Sequence, residues 1–175
     1  MQPIPRSSAL ADAQEVAAAQ PKVWTIVEYV TEEVFRQGHD VTHPEGLKRV
    51  ANMLDAWAWA MARSTLRDHP SIADVMRLGM LIEPIDNAEG FRSCEVTVGW
   101  RRCPRAEDVP ALLERLWRDG QELTPLEFYK ELLLIHPFVD GNGRTAKVVL
   151  AWRGGTLHQP FFPPADFWGH PIRNP

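Results

Sequence analysis

The sequence predicts a mainly α, single-domain helical bundle with one small β-hairpin. The chain has 175 residues, enough for one domain with a real core and short for two. Apolar residues recur at helical spacing in six segments, and only the stretch from Met80 to Gly99 breaks into short, partly β-branched runs. Gly, Pro and capping residues fall at the ends of these segments, where they act as punctuation.

In order, residues 1–20 are polar and Ala/Gln-rich, an arm or short helix without the apolar core of a signal peptide. From Lys22 to Gln37, Val23, Val27, Val30 and Val34 follow helical spacing, with Trp24 and Ile26 beside them, until Gly38. Thr42-His43-Pro44-Glu45 has the pattern of a capping box with Pro in the first turn, followed by the stripe Leu47, Val50, Leu54, Trp57 and Met61. Ser71 starts a short helix with Ile72, Val75 and Met76, and Gly79 is read as its end. Met80-Leu81-Ile82 and Cys94 to Val98 are read as the two strands of the hairpin, with Pro84 to Gly90 as its turn. Val109, Leu112, Leu113 and Leu116 restore the helical period up to Gly120. Thr124-Pro125-Leu126-Glu127 is a second capping-box pattern. It opens a helix through Ile135 that is apolar over much of its circumference and is expected at the centre of the bundle. A loop, His136 to Asn142, leads into a helix from Gly143 to Trp152, which Gly154-Gly155 ends. Pro160, Pro163, Pro164, Pro171 and Pro175 make the remainder an extended tail. The organisation is an arm over 1–20, a domain over 21–165 and a Pro-rich tail over 166–175.

Composition narrows the function. The net charge is −4 and no long basic stripe occurs, so nucleic acid is not an expected partner and any anion site must be local. Cys94 and Cys103 make no disulfide framework or zinc pattern and read as reduced structural thiols. No run approaches the roughly twenty apolar residues that span a bilayer, so no membrane is expected. The expected location is cytoplasmic, although a secreted effector shares this composition.

Residues 136–147 concentrate the chemistry. A buried helix ends and a Gly-Asn-Gly turn enters the N-terminus of another, where unpaired N–H groups and the positive end of the macrodipole suit an anion. Gly141 and Gly143 allow close backbone approach, and Arg144 and Lys147 lie three residues apart on one face. Asp140 is a hard oxygen ligand of the kind Mg²⁺ uses beside phosphates. His136 is the side chain there that can take a proton near neutral pH. The spacing is not that of a Walker A loop.

The string His136-Pro-Phe138-Val-Asp140-Gly141-Asn142-Gly143-Arg144 resembles the defining motif of the Fic (Fic/Doc) family, H-x-F-x-[D/E]-G-N-G-R-x-x-R, with Lys147 in the last place. Gly90-Phe91-Arg92, Val96 to Gly99 and Val109 to Leu116 are similar to segments that follow the family's β-hairpin flap. The resemblance implies a protein adenylyltransferase. His136 is then the general base on a Ser, Thr or Tyr hydroxyl of a target protein, and Asp140 holds Mg²⁺ between the phosphates of ATP. Gly141, Asn142 and Gly143 stabilise the α-phosphoryl oxygens, Arg144 and Lys147 bind the outer phosphates, and Phe138 anchors the loop. Pro84, Ile85, Asp86 and Asn87 stand at the flap that pairs with the target.

The sequence departs from the family at Lys147, a mobile point charge in place of a rigid fork. The family's inhibitory motif, [S/T]-x-x-x-E-[G/N], whose Glu pairs with the last motif Arg, is missed by one residue at Thr42 to Gly46. Capping accounts for Thr42 and Glu45, so an inhibitor or antitoxin is expected on a separate chain. His39, His43, His69, His158 and His170 read as surface or capping residues, and Trp57 and Trp59 as core. Trp100-Arg101-Arg102 reads as a solvated basic turn, with the border of a target groove as the alternative. Three functions follow: AMP transfer, a Fic-type enzyme with another donor, group or small-molecule acceptor, and a weakly active Fic-like binding module.

Overall fold

The computed structural model describes residues 13–164. The expectations for residues 1–12 and 165–175, including the end of the tail, lie outside the described residues. A short helical run over 13–18 precedes six helices: α1 (Ile26–Arg36), α2 (Pro44–Ser64), α3 (Ile72–Ile82), α4 (Val109–Asp119), α5 (Pro125–Ile135) and α6 (Asn142–Arg153). One antiparallel ribbon, β1 (Thr97–Val98) and β2 (Arg101–Arg102), pairs Thr97 with Arg102 and Val98 with Arg101. The predicted class, a mainly α bundle with a small hairpin, is the observed one.

Local chemistry explains the boundaries. Reciprocal capping boxes open α1 (Thr25 with Glu28), α3 (Ser71 with Asp74) and α5 (Thr124 with Glu127). The first sets the start of α1 at Ile26, four residues after the start read from periodicity. The box expected at Thr42 and Glu45 does not form. The N-cap of α2 is His43, without a side-chain bond, and the Thr42 hydroxyl donates to Asp40 Oδ1 at 2.7 Å instead. The buried face of α2 is Val50, Met53, Ala56, Trp57 and Ala60, whereas Leu47 is exposed.

The hairpin is displaced from its predicted place. Met80, Leu81 and Ile82 complete α3, so Gly79 is an interior residue of that helix and not its end. The reason is packing: a Cβ on Gly79 would lie 2.2 Å from the Phe138 ring, and only a bare backbone lets α3 press onto that ring. The helix enclosed most fully is α6, not α5. Within α6 only Gly143 and Lys147 escape burial, while α5 keeps Glu127, Lys130 and Glu131 on an exposed face. α6 packs against α2, α3 and α5 at once. The motif loop is thereby seated on the central element of the core.

Among the described residues, no helix is long and apolar enough to cross a membrane.

Candidate active site

The site is built where α5 ends and α6 begins. His136 caps α5 in the left-handed conformation (φ 52°, ψ 63°), the only non-glycine with positive φ among the described residues. A non-glycine residue is rarely found there, and the conformation persists only where the surroundings hold it. Here Arg92 holds it. That buried side chain donates from Nε to His136 O (2.8 Å), from Nη1 to Cys94 O (2.9 Å) and from Nη2 to Pro104 O (2.6 Å). Its backbone N–H donates to Pro137 O at 2.9 Å.

Phe138 is fully buried, with its ring centre 5.4 Å from that of Phe91 and the two rings tilted by 45°. Asn142 closes the loop on itself. Its Oδ1 accepts from Phe138 N and its Nδ2 donates to Phe138 O, both at 2.9 Å. Both ends of that amide are committed to shaping the loop. Gly141 takes φ 75°, and a Cβ there would meet Ile82 and Glu83 at 2.9 and 3.0 Å. The turn therefore needs glycine for both conformation and space. The α6 bonding begins at Thr145 N to Gly141 O (2.9 Å), which leaves the N–H groups of Asn142, Gly143 and Arg144 without a carbonyl of the helix.

Around this cradle, Arg144, Asp140 and Lys147 meet side chains that the sequence reading missed: Gln37, Glu83, Arg49 and Glu33. Arg144 is fully buried, with Nε donating to Gln37 Oε1 at 3.1 Å. Its Nη1 lies 2.6 Å from Glu83 Oε1 and its Nη2 lies 3.5 Å from Asp140 Oδ2. These are charge contacts rather than aligned hydrogen bonds, so both Nη groups remain buried donors without an acceptor. Arg49 from α2 also pairs with Glu83, and lies 3.3 Å from Asp140 Oδ2. Lys147 pairs with Glu33, which is fully buried on α1, and Glu33 also accepts from Gln37. Gln37 lies over Gly143, where a Cβ would come within 2.8 Å of its Nε2. The carboxylate that meets the last motif position is therefore Glu33, while Glu45 is exposed in the first turn of α2. A cavity of about 150 Å³ opens beside Lys147, lined by Glu33, Arg36, Gln37, Tyr129 and Phe162. A larger hollow of about 250 Å³ lies between α4 and α5 and holds none of the motif side chains.

The electrostatics suit a base and an anion. Burial pulls the His136 imidazole below its ordinary value, and the charges of Arg92 and Arg101 add to this. A hydrogen bond to the Leu133 carbonyl acts in the other direction without reversing the shift. Burial pushes the Asp140 carboxyl up, but the Gly141 N–H and the Arg144 and Arg49 guanidinium groups outweigh it and hold the acid below its usual range. Asp140 is thus an ionised, half-exposed carboxylate. Oxygens of Asp140, Glu83 and Asp86 lie within 4.8 Å of one another. Such hard, anionic donors fit Mg²⁺, although Asp140 and Glu83 each also contact Arg49 and Arg144.

The flap residues are placed less simply. Pro84, Ile85 and Asp86 are exposed on the turn after α3, but Asn87 is 1% exposed and faces inward. Asn87 Nδ2 donates to Gly79 O (3.0 Å) and Asp140 O (2.9 Å), and its Oδ1 accepts from Val139 N (3.2 Å). It is a strut under the motif loop. The ribbon itself lies further along the chain, beside His136.

The Fic/DOC family model matches residues 71–152, from the cap of α3 to the penultimate residue of α6. That stretch, just under half of the chain, is similar to the Fic/DOC family and holds α3, the motif loop and nearly all of α6. The protein adenylyltransferase Fic of Drosophila grimshawi is 33% identical over 78 residues, a match covering 39% of this chain and 16% of that protein. The Drosophila melanogaster protein of the same name is 35% identical over 78 residues, again with 16% of its length covered. The matched stretch is thus a small part of these relatives. Fic-1 (residues 134–508) of C. elegans superposes with a TM-score of 0.57 at 20% identity, covering 89% of this chain and 58% of that one. IbpAFic2, solved covalently tethered to Cdc42, gives 0.56 at 15% identity, with 93% and 59% covered. At these identities the likeness to solved structures is one of fold.

Proposed function

We propose that this chain transfers AMP from ATP to a hydroxyl side chain of another protein. The carrying observation is His136, held in a left-handed conformation and shifted toward its neutral form, at the mouth of an anion cradle on the N-terminus of α6. In the transfer, a Ser, Thr or Tyr oxygen forms a bond to the α-phosphorus as the bond to the β-phosphate oxygen breaks. His136 takes the hydroxyl proton and pyrophosphate leaves. The free N–H groups of the first α6 turn face the α-phosphoryl oxygens, and Arg144 and Lys147 lie on the side of the outer phosphates. Gly141 and Gly143 admit the nucleotide, and Asn142 and Phe138 hold the loop that presents it. Asp140 would hold Mg²⁺, which supplies charge neutralisation at the phosphates. This is catalysis by positioning and fixed charge.

One observation favours a second reading. Lys147 stands in place of Arg and is engaged by the Glu33 carboxylate, which suits a nucleotide-binding module with slow transfer or with another donor. One experiment separates the two. Purified protein is incubated with Mg²⁺ and labelled ATP in a cell lysate, and labelled products are weighed by intact-mass spectrometry. An added AMP mass that is lost in His136→Ala, by the roughly 10²–10⁴-fold expected for a general base, supports transfer. Labelling that persists in that variant, or a different added mass, rejects it.

A further inference from the structure

Two guanidinium groups share the same two carboxylate oxygens beside the motif loop. Glu83 Oε1 pairs with Nη1 of Arg49 and, at 2.6 Å, with Nη1 of Arg144. Asp140 Oδ2 lies 3.3 Å from Arg49 Nη1 and 3.5 Å from Arg144 Nη2. Two cations and two anions make the cluster neutral, but they hold two like charges side by side. The arrangement also leaves both Nη groups of Arg144 buried without an acceptor. Buried donors are normally satisfied, so donors left spare in this way suit an anion that the protein itself does not supply.

The two arginines are not equally held. Arg144 is fully buried, and its Nε is tied to Gln37 at 3.1 Å. Arg49 stands on α2 with its side chain 24% exposed. Its guanidinium bonds to Glu83 and Asp140 and, among the described residues, to no other group. Arg49 also precedes residues 71–152, the stretch similar to the Fic/DOC family, so it is this chain's own addition to the cluster. Meanwhile Lys147, at the last motif position, is engaged by Glu33 and offers no planar fork.

We propose that Arg49 is a nucleotide-binding residue of this chain, resting on the Glu83 and Asp140 carboxylates and passing to the outer phosphates of ATP when those carboxylates take up a divalent cation. This rests on the transfer reading above and adds a residue to its site. A carboxylate oxygen that coordinates a cation loosens its hold on a guanidinium, because both compete for the same lone pairs and their positive charges repel. A phosphate oxygen sharing that cation with Asp140 would sit beside the carboxylate, within reach of a side chain already 3.3 Å from it. There Arg49 offers the two parallel bonds that Lys147 cannot. The exchange also ties cation to nucleotide. Without phosphates, a dication entering the neutral cluster leaves two net positive charges beside two arginines.

The test measures binding rather than turnover. Mn²⁺ is titrated without nucleotide and followed by its EPR signal. An ATP analogue with a methylene bridge between its α- and β-phosphates, which cannot release AMP, is titrated by calorimetry with Mg²⁺. AMP, which has no outer phosphates, is titrated alongside. Arg49→Met is expected to tighten Mn²⁺ by about tenfold and to weaken the analogue by about tenfold, each the scale of one charge-assisted hydrogen bond. AMP should bind wild type and variant alike. Arg49→Lys keeps the charge without the fork, so it should hold Mn²⁺ affinity within about twofold of wild type and recover part of the analogue binding. A residue that merely braces the fold would weaken Mn²⁺ and the analogue together. The proposal is overturned if Arg49→Met leaves Mn²⁺ affinity unchanged or lowers it, or if AMP binding is lost along with that of the analogue. A wild type that binds no analogue would sink the transfer reading and this assignment together. Analogue binding that survives intact in Arg49→Met would sink this assignment alone.

Discussion

His136 and Lys147 stand at the two ends of the motif, and their surroundings differ in kind. His136 is biased toward its neutral form, first by burial and then by the charges of Arg92 and Arg101. A base must be unprotonated, so transfer is expected to be complete above its depressed pKa and to fall as pH drops through a value below 6.5. A rate–pH profile checks this, and Arg101→Gln should move the acid limb upward, since it removes a positive neighbour. Lys147 faces Glu33, a carboxylate that would compete with a phosphate for this cation. Glu33→Gln keeps the size and an acceptor for Gln37 but removes that competing charge. Calorimetry with ATP and Mg²⁺ should then show affinity higher by about 1 kcal/mol, or roughly fivefold. Weaker binding in the variant would mean that Glu33 orients Lys147 for the nucleotide rather than competing with it. The sequence displayed the contiguous half of this site, because the turn, base and carboxylate sit in one string. It concealed the half supplied by Glu33, Gln37, Arg49, Glu83 and Arg92, which only the packing of α1, α2, α3 and the segment after α3 brings to the loop. One signal was available for the first two: Glu33 and Gln37 fall in line with Val30 and Val34 on the apolar stripe of α1, where a polar residue needs a buried partner.

At the scale of elements, the loop owes its position to α3. Gly79 faces the Phe138 ring so closely that an added methyl would overlap Cε1 and Cζ at 2.2 and 2.3 Å, and the fully buried ring has no solvent to retreat into. Gly79→Ala gains helix propensity and would stabilise an unencumbered helix. Here overpacking dominates, with an expected cost of about 1–3 kcal/mol, which for a chain of this size lowers Tm by roughly 2–12 °C. Thermal unfolding measures it, and adding Phe138→Leu should restore part of the loss by vacating the ring. Unchanged stability in Gly79→Ala would mean that the contact can relax and that α3 does not set the loop. The same contact explains where element reading succeeded and failed. α4 and α5 were legible because clean stripes and terminal Gly, Thr and Glu agree with one another. The end of α3 was not, because a Gly chosen for an interhelical contact looks like a Gly chosen to stop a helix, and Met80-Leu81-Ile82 fits strand or helix equally by hydrophobicity.

At the scale of the whole molecule, α6 runs through the core with charged side chains buried at both ends, and the two ends are treated differently. Near its N-terminus Arg144 is surrounded by Glu83, Asp140 and Gln37, a concentration of polar groups that a ligand site requires. At its C-terminus, roughly 14 Å from Arg144 by helix rise, Arg153 is 3% exposed with no carboxylate partner among the described residues. Its guanidinium lies 3.8 Å from the centre of the Phe128 ring and makes one long bond from Nη2 to Gly120 O (3.4 Å), and its Nε and Nη1 have no acceptor. The ring contributes up to about 2 kcal/mol and the helix C-terminus about 1 kcal/mol. Removing a cation from water costs several kcal/mol even after relaxation. Burial wins, and it pulls the pKa of the Arg153 guanidinium down to about 10. Arg153→Met keeps the length and the contact with Phe128 while removing the charge. It is therefore expected to leave stability unchanged or raise it by about 1–2 kcal/mol, with nucleotide binding at the far end of α6 unaffected. Urea unfolding and calorimetry on the same variant check both halves. A loss exceeding about 2 kcal/mol would mean that Arg153 is a stabilising contact of the core rather than a cation held there at a cost.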